Sequence, residues 1–350
     1  NTMLDTSQFV LISGTGNFAL ARGIIDIVNE LTPVGQKDLV FNHLDYDEFP
    51  DEPDLRIQRP ENIKGKHALI FNSCHNREML EEFHTLVWAA KHQYGAASVT
   101  GIMPFMRYRR QDHAEKIHEI NRNRMLIHGL ASAGTDRFIV CDIHSKVTLQ
   151  NCKEFGIKAW NVDPSSVFAA ELMPLVEKAR EEGREFYIHA PDIGSIPRAV
   201  TMAKIISAKV SANPKERLPN GETRIIEDPA ELEAIQKQYD IEIIFADEKL
   251  AGAEICIRED EVATAGTGNK AAHKLIRLGA YKVHFSGTHP VCAPGWKRKM
   301  FDGDPFGLVM FGNTIEHHNS YKYSTGGRVK RMDMSKVIAH QLFEVMKKIK

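Results

Sequence analysis

Arg107, Arg109 and Arg110 stand together in the stretch FMRYRRQDHAEK (105–116), directly behind an apolar run that ends at Pro104. A solvated loop tolerates such crowding; a site for a highly charged anion requires it. Lys215 and Arg217 lie one residue apart in NPKERLPNGE (213–222), so both could reach a transferring phosphoryl group if that loop moves. A solvated charged loop is the other reading of those residues. His144 in CDIHSK and Asp192 in APDIGS each follow an apolar run. At strand ends, a histidine and an aspartate can ligate a divalent cation whose shell is completed by waters and phosphate oxygens. Each also serves as a plain turn residue. Glu259 and Asp260 precede Ala263-Thr264-Ala265-Gly266-Thr267 and then a helix pattern. Backbone N–H groups and hydroxyls at a helix start cradle an anion, and two carboxylates upstream suit a pair of sugar hydroxyls. That combination would hold a ribose phosphate, while a capped helix preceded by acids remains open. GTGNFA (14–19) fits a dinucleotide fingerprint with Asp45 as ribose acid, or simply a tight strand-to-helix turn.

These residues need elements to hold them. Apolar runs at 9–14, 67–73, 97–105 and 137–144 alternate with helix-period segments at 17–31, 76–95 and 121–134. A similar series restarts with runs at 185–192, 253–260 and 282–289 and helical segments at 195–207 and 267–280. Near-continuous apolar strands between helices predict an α/β fold, with mostly parallel sheets flanked by helices. A domain boundary is expected near residue 160. Residues 293–330, rich in Gly, Lys, His and Asn, read as loop. The segment 334–349 reads as a closing helix, with Ser335 as N-cap and Lys347 and Lys348 favourable at its C-terminal end.

Composition narrows the function classes. The 350 residues are 43% hydrophobic and 26% charged, enough for two ordinary domains. A formal net charge of −1 gives no bulk attraction to nucleic acid or to an anionic membrane. No apolar run approaches the roughly 20 residues that span a bilayer. NTMLDTSQ has no basic segment followed by an apolar one, so the expectation is cytoplasmic, with no membrane or nucleic-acid partner. The 5 cysteines are scattered and lack metal-knuckle spacing, as reduced thiols would be.

The motifs in order resemble the ribose-phosphate pyrophosphokinases, the PRPP synthetases, a family of two phosphoribosyltransferase-like domains. REDEVATAGT (258–267) looks like their ribose-phosphate loop, and RRQD, CDIHS, APDIGS and PKER follow the order of the matching segments. FPDEPDLRIQ (49–58) resembles the ATP loop, and MSKVIAHQLFEVMKKI the closing helix. The resemblance implies an ATP-side domain at 1–160, a ribose-phosphate-binding domain at 161–310 and a tail at 311–350. It implies that Arg110, Gln111 and Asp112 hold ATP, while Phe49 and Asp51 reach the adenine of a neighbouring subunit in a homo-oligomer. His144 and Asp192 would bind magnesium, and Lys215 and Arg217 would act in catalysis. Glu259 and Asp260 would orient ribose hydroxyls, and Thr264, Ala265, Gly266 and Thr267 would cradle the 5-phosphate. The implied reaction moves the diphosphoryl group of ATP to the anomeric hydroxyl of ribose 5-phosphate, giving PRPP and AMP.

The chain departs from the family pattern at several points. Ala263 stands where an acid is expected, Glu259 where an aspartate is usual, Arg258 where an aliphatic is usual, and Pro53 and Pro197 where a glutamate and a lysine are. The segments 144–192 and 217–259 are longer than expected, and the tail from Trp296 to Arg331 does not match. Two alternatives follow. The same chemistry could act on a larger ribose 5-phosphate ester such as ADP-ribose, or the chain could be a non-catalytic regulatory subunit. Retention of Lys215 and Arg217 argues against the latter.

Overall fold

The computed structural model describes residues 4–33, 38–43, 46–48, 55–57, 63–112, 119–217, 222–245, 247–316 and 327–349. The first half runs β1 (Phe9–Ser13), α1 (Phe18–Leu31), β2 (Val40–His43), β3 (Tyr46–Glu48), β4 (Leu55–Ile57), β5 (His67–Phe71), α2 (Arg77–Trp88), β6 (Ser98–Met103), α3 (Arg122–Ala133), β7 (Arg137–Cys141), α4 (Val147–Glu154) and β8 (Lys158–Val162). The second runs α5 (Ser165–Glu181), β9 (Phe186–Ala190), α6 (Ile196–Ile206), β10 (Lys209–Ala212), β11 (Lys215–Arg217), β12 (Thr223–Ile225), α7 (Pro229–Gln236), β13 (Ile243–Ile244), β14 (Glu254–Glu261), α8 (Gly266–Arg277), β15 (Lys282–His289), α9 (Trp296–Met300), β16 (Val309–Gly312), β17 (Val329–Met332) and α10 (Ser335–Met346).

The strands form two parallel sheets, ordered β2-β1-β5-β6-β7-β8 and β13-β10-β9-β14-β15-β16-β17. Two antiparallel hairpins, β3-β4 and β11-β12, stand apart from them. The central strands are apolar on both faces, as helices covering both sides require: every residue of β1, β6 and β9 is buried. The first sheet extends to Val162 and the second to Met332. Residues 293–330, read as loop from composition, thus include α9, β16 and the start of β17. β16 and β17 are only four residues each, and β17 carries Lys330 and Arg331 at its centre, so neither shows a readable periodicity.

Gly14 and Gly16 belong to a turn of structural purpose. A Cβ on Gly16 would sit 2.6 Å from the Ser73 carbonyl oxygen, so only glycine fits against β5. The turn's donors are already taken by protein. The Thr15 N–H and hydroxyl donate to the Glu82 carboxylate at 3.0 and 2.8 Å, and the Gly16 N–H donates to Asn72 Oδ1 at 2.7 Å. A buried carboxylate therefore occupies the place that a pyrophosphate would need, which removes the dinucleotide reading. Asp45 lies outside the described residues.

The two halves share a core. α10 packs on α1, placing Ile338, Leu342 and Val345 with Ile24, Ile25 and Val28 in one buried cluster. Burying each such side chain stabilises the fold by about 1.5–3 kcal/mol. The α10 start corrects the expected cap: Asp333, not Ser335, supplies the capping oxygen, accepting from the Ser335 N–H at 3.0 Å and its hydroxyl at 2.8 Å. The five cysteines are free, and four of them are buried.

Candidate active site

The carboxyl ends of the two sheets meet, and charged side chains from both fill the seam. Tyr108, with φ +62°, turns the chain after β6. Arg109, 3% exposed, then points across the seam. Its guanidinium donates to Glu261 and Asp260 at the end of β14, both at 2.9 Å, and to the Asp142 carbonyl at 2.6 Å. His144, in the loop after β7, meets the same Asp260 carboxylate through Nδ1 at 2.7 Å. An imidazole that donates from Nδ1 keeps the Nε2 lone pair for a cation. Burial pushes the Asp260 carboxyl up, but Arg109, the His144 hydrogen bond and Arg198 outweigh it and hold it well below the usual range.

A second carboxylate anchors the seam from the other side. Asp142, in the left-handed region at φ +44°, takes Arg198 Nε on Oδ1 and Arg258 Nη2 on Oδ2, both at 2.7 Å. Burial alone would raise its pKa; the two guanidiniums overcome that and push it far down. Arg198 also donates to the Ile143 and His144 carbonyls at 2.5 and 3.2 Å, which fixes the loop that carries His144. Arg258 is fully buried, donates to Thr288 Oγ1 at 2.9 Å and lies 4.8 Å over the Phe168 ring. His289 bridges Thr314 Oγ1 at 2.8 Å and the Cys141 carbonyl at 3.0 Å.

His189 and His289 are both fully buried, and burial lowers each from the ordinary 6.5 to about 3, with Lys274 and Arg109 adding to it respectively. The folded values lie below the unfolded one, so the fold favours the neutral rings. Their stabilisation is present above 6.5 and is lost as pH falls from 6.5 towards 3. Going from pH 7.5 to 5.5 should cost about 3 kcal/mol of unfolding free energy, measured by urea denaturation at both values. An unchanged free energy would mean that the rings protonate inside the fold.

The side chains read from sequence converge on one cavity of about 680 Å³, among whose lining residues are Arg110, His144, Asp192, Lys215, Glu259 and Thr264. Arg110 is half exposed there and pairs with Glu261 at 3.0 Å. Asp192 opens the turn leading to α6, accepting on Oδ1 from the Ser195 N–H and hydroxyl at 2.9 and 2.8 Å. Its Oδ2 takes no hydrogen bond among the described residues. The Glu259 carboxylate takes no hydrogen bond among them either, and burial, then Asp260 and Asp192, raises it well above the ordinary range. Asp260 and Glu259, adjacent in sequence, are thus unlike: the first is tied to Arg109 and His144, the second is free. Ala265, at φ +63°, turns the chain into α8, whose first turn has no side-chain cap, and Thr264 and Thr267 line the cavity beside it.

Other expected residues stand at the margin. Asp112 is buried and accepts from the Ser145 hydroxyl, bracing the His144 loop. Gln111 is exposed, its backbone bonded to Tyr108 and Asn123. Lys215 begins β11, so the expected loop is a hairpin paired to β12. Phe49, Asp51 and the Arg217 side chain lie outside the described part of the structure. Among the described residues, no three His, Cys, Asp or Glu side chains gather to hold a metal by themselves. Sequence reasoning passed over Asp142, Arg198 and Arg258 as site residues; the one signal was a charge, Arg258, inside the apolar run EICIRED.

Residues 9–134 match the family profile described as the N-terminal domain of ribose phosphate pyrophosphokinase. Ribose-phosphate pyrophosphokinase 1 of Streptococcus pneumoniae is 26% identical over 241 residues, 68% of this chain and 67% of that one. The ribose-phosphate pyrophosphokinase of Sulfurisphaera tokodaii is 28% identical over 302 residues, 84% of this chain and 89% of its own. Over 68% to 95% of its length the chain is similar, at 23% to 28% identity, to ribose-phosphate pyrophosphokinases. The fold is also that of the phosphoribosylpyrophosphate synthetase from Mycobacterium smegmatis, with a TM-score of 0.74 at 17% identity over 97% of this chain and 99% of that one. No helix among the described residues is long and apolar enough to cross a membrane.

Proposed function

We propose that this chain transfers the diphosphoryl group of ATP to the anomeric hydroxyl of ribose 5-phosphate, releasing AMP. One observation carries the reading: a single cavity gathers Arg110, Lys215, the His144–Asp192 pair, an unpartnered Glu259 and the uncapped start of α8. The 5-phosphate would sit on the first-turn amides of α8 with the hydroxyls of Thr264 and Thr267. Glu259 would accept from the ribose hydroxyls, while Asp260 acts through His144 and Arg109 instead of meeting the sugar. The anomeric oxygen attacks the β-phosphorus, the bond from that phosphorus to the α,β-bridging oxygen breaks, and AMP leaves with the bridging oxygen. The hydroxyl proton passes to solvent. Lys215, with Arg217 on the same strand, would neutralise charge gathering on the in-line transition state, and Arg110 would hold ATP phosphate oxygens.

The donor set fits magnesium. His144 Nε2 and Asp192 Oδ2 are free of protein partners among the described residues, and they are too few to close a shell without phosphate oxygens and water. When bound, the ion would offset phosphate charge. Phe49 and Asp51 would meet the adenine of a second copy, making the ATP site a shared one in a homo-oligomer.

Mixing the protein with ATP, magnesium and ribose 5-phosphate should release AMP and form PRPP in equal amounts. Formation of ADP, or no product from any ribose phosphate, would overturn the reading and leave the regulatory-subunit alternative. His144→Ala and Asp192→Ala should each raise the magnesium concentration needed for half-maximal rate by about tenfold, since each removes one partner of the ion. Wild-type magnesium dependence in both variants would refute the metal assignment.

A further inference from the structure

A second cavity, of about 660 Å³, adjoins the first at Lys215, Thr264 and Thr267, which line both. Four ammonium groups line it: Lys215 from β11, Lys270 and Lys274 from α8, and Lys299 from α9. Asp302 is the one carboxylate among its lining residues. Lys270 and Lys274 are one helical turn apart, a spacing at which like charges repel. Lys274 donates to Asn213 Oδ1 at 3.1 Å. Lys215, Lys270 and Lys299 have no ion pair among the described residues, although exposed lysines elsewhere in the chain, such as Lys204 and Lys209, are paired.

Lys215, Lys270 and Lys299, converging from three elements without an ion pair among the described residues, raise the free energy of the empty cavity, and an anion placed there lowers it. Because the cavity is continuous with the 5-phosphate turn, that anion would sit immediately beside the 5-phosphate. The side chain at position 263, where the family pattern puts an acid, is a methyl group, so no carboxylate from that residue repels a second phosphate. We infer that this lysine-lined cavity takes a second phosphate next to the acceptor's 5-phosphate, so that ribose 5-diphosphate esters are accepted beside ribose 5-phosphate and are held more tightly. The inference deepens the proposed function and rests on its placement of the 5-phosphate. The same chemistry could also be supplied by a free phosphate or diphosphate ion.

Binding separates these sources. Ribose 5-phosphate, ADP-ribose and inorganic diphosphate are titrated calorimetrically into the wild type and into the double variant Lys270→Gln, Lys299→Gln. Magnesium and α,β-methylene ATP are present throughout. The expected result is that ADP-ribose binds the wild type at least tenfold more tightly than ribose 5-phosphate does. The double variant should lose that advantage and keep its affinity for ribose 5-phosphate. If the variant instead loses tenfold in diphosphate affinity and treats both sugars alike, the cavity is an anion site but its ligand is free, and the diphosphate-ester assignment falls. Equal affinities of all three ligands for both proteins would overturn the site itself. A wild type that fails to bind ribose 5-phosphate, yet shows lysine-dependent binding of ADP-ribose, would sink ribose 5-phosphate as acceptor while upholding the cavity.

Discussion

Lys215→Ala should slow diphosphoryl transfer on the order of a hundred- to a thousandfold while leaving the KM for ATP within about threefold, the signature of a lost transition-state donor. The reason is position. Lys215 begins a strand held to β12, with its N–H donating to the Asn213 carbonyl at 2.7 Å, so the ammonium is delivered to the cavity by a supported backbone. Removing it leaves the Thr264–Thr267 turn and the His144 loop intact. Steady-state kinetics of AMP release, with ATP varied, makes the measurement. Equal losses in ATP affinity and in turnover would show that Lys215 clamps the ground state and contributes nothing specific to the transition state.

Asp142→Asn should destabilise the folded chain by about 3–5 kcal/mol, because it leaves buried guanidiniums without their carboxylate. Arg258 is wholly enclosed, the Arg198 side chain is 14% exposed, and both rest on Asp142. The substitution isolates the charge: asparagine tolerates the positive φ at this position and has nearly the same volume. Urea unfolding at pH 7.5 reads the effect. A loss under 1 kcal/mol would mean that water or Asp260 replaces the missing charge. Replacing Arg258 together with Asp142 by apolar residues should recover part of the loss, since a buried pair is costly to break but cheap to remove whole.

The fold was legible where local sequence determines it. The apolar runs of β1, β5, β6, β7, β9, β14 and β15 mark buried parallel strands, and their helices follow from periodicity. The residues that line the cavity stood out in the sequence because they sit in short polar motifs directly behind apolar strand runs. The network beneath them was not, since its partners lie far apart in the chain: Arg109 and Asp260 are separated by 151 residues, His144 and Asp260 by 116. No spacing rule reaches that far. The same distance explains why Glu259 and Asp260 read as equivalent acids. Which one is free depends on where Arg109 and His144 land, and only the packing of one sheet end on the other decides that.

The docking of α10 on α1 has a consequence for how the chain comes off the ribosome. α1 is made before the segment that covers Ile24, Ile25 and Val28, residues 335–346, with most of both sheets translated between them. The amino-terminal sheet can form its strand ladder as it emerges, but one of its helices then waits with an apolar face uncovered through the synthesis of the entire second half. Contacts of such sequence separation form slowly. The nascent first half should therefore lean on holding chaperones, and a chain stopped before residue 335 should be handed to proteolysis even though both sheets and every cavity residue are already complete.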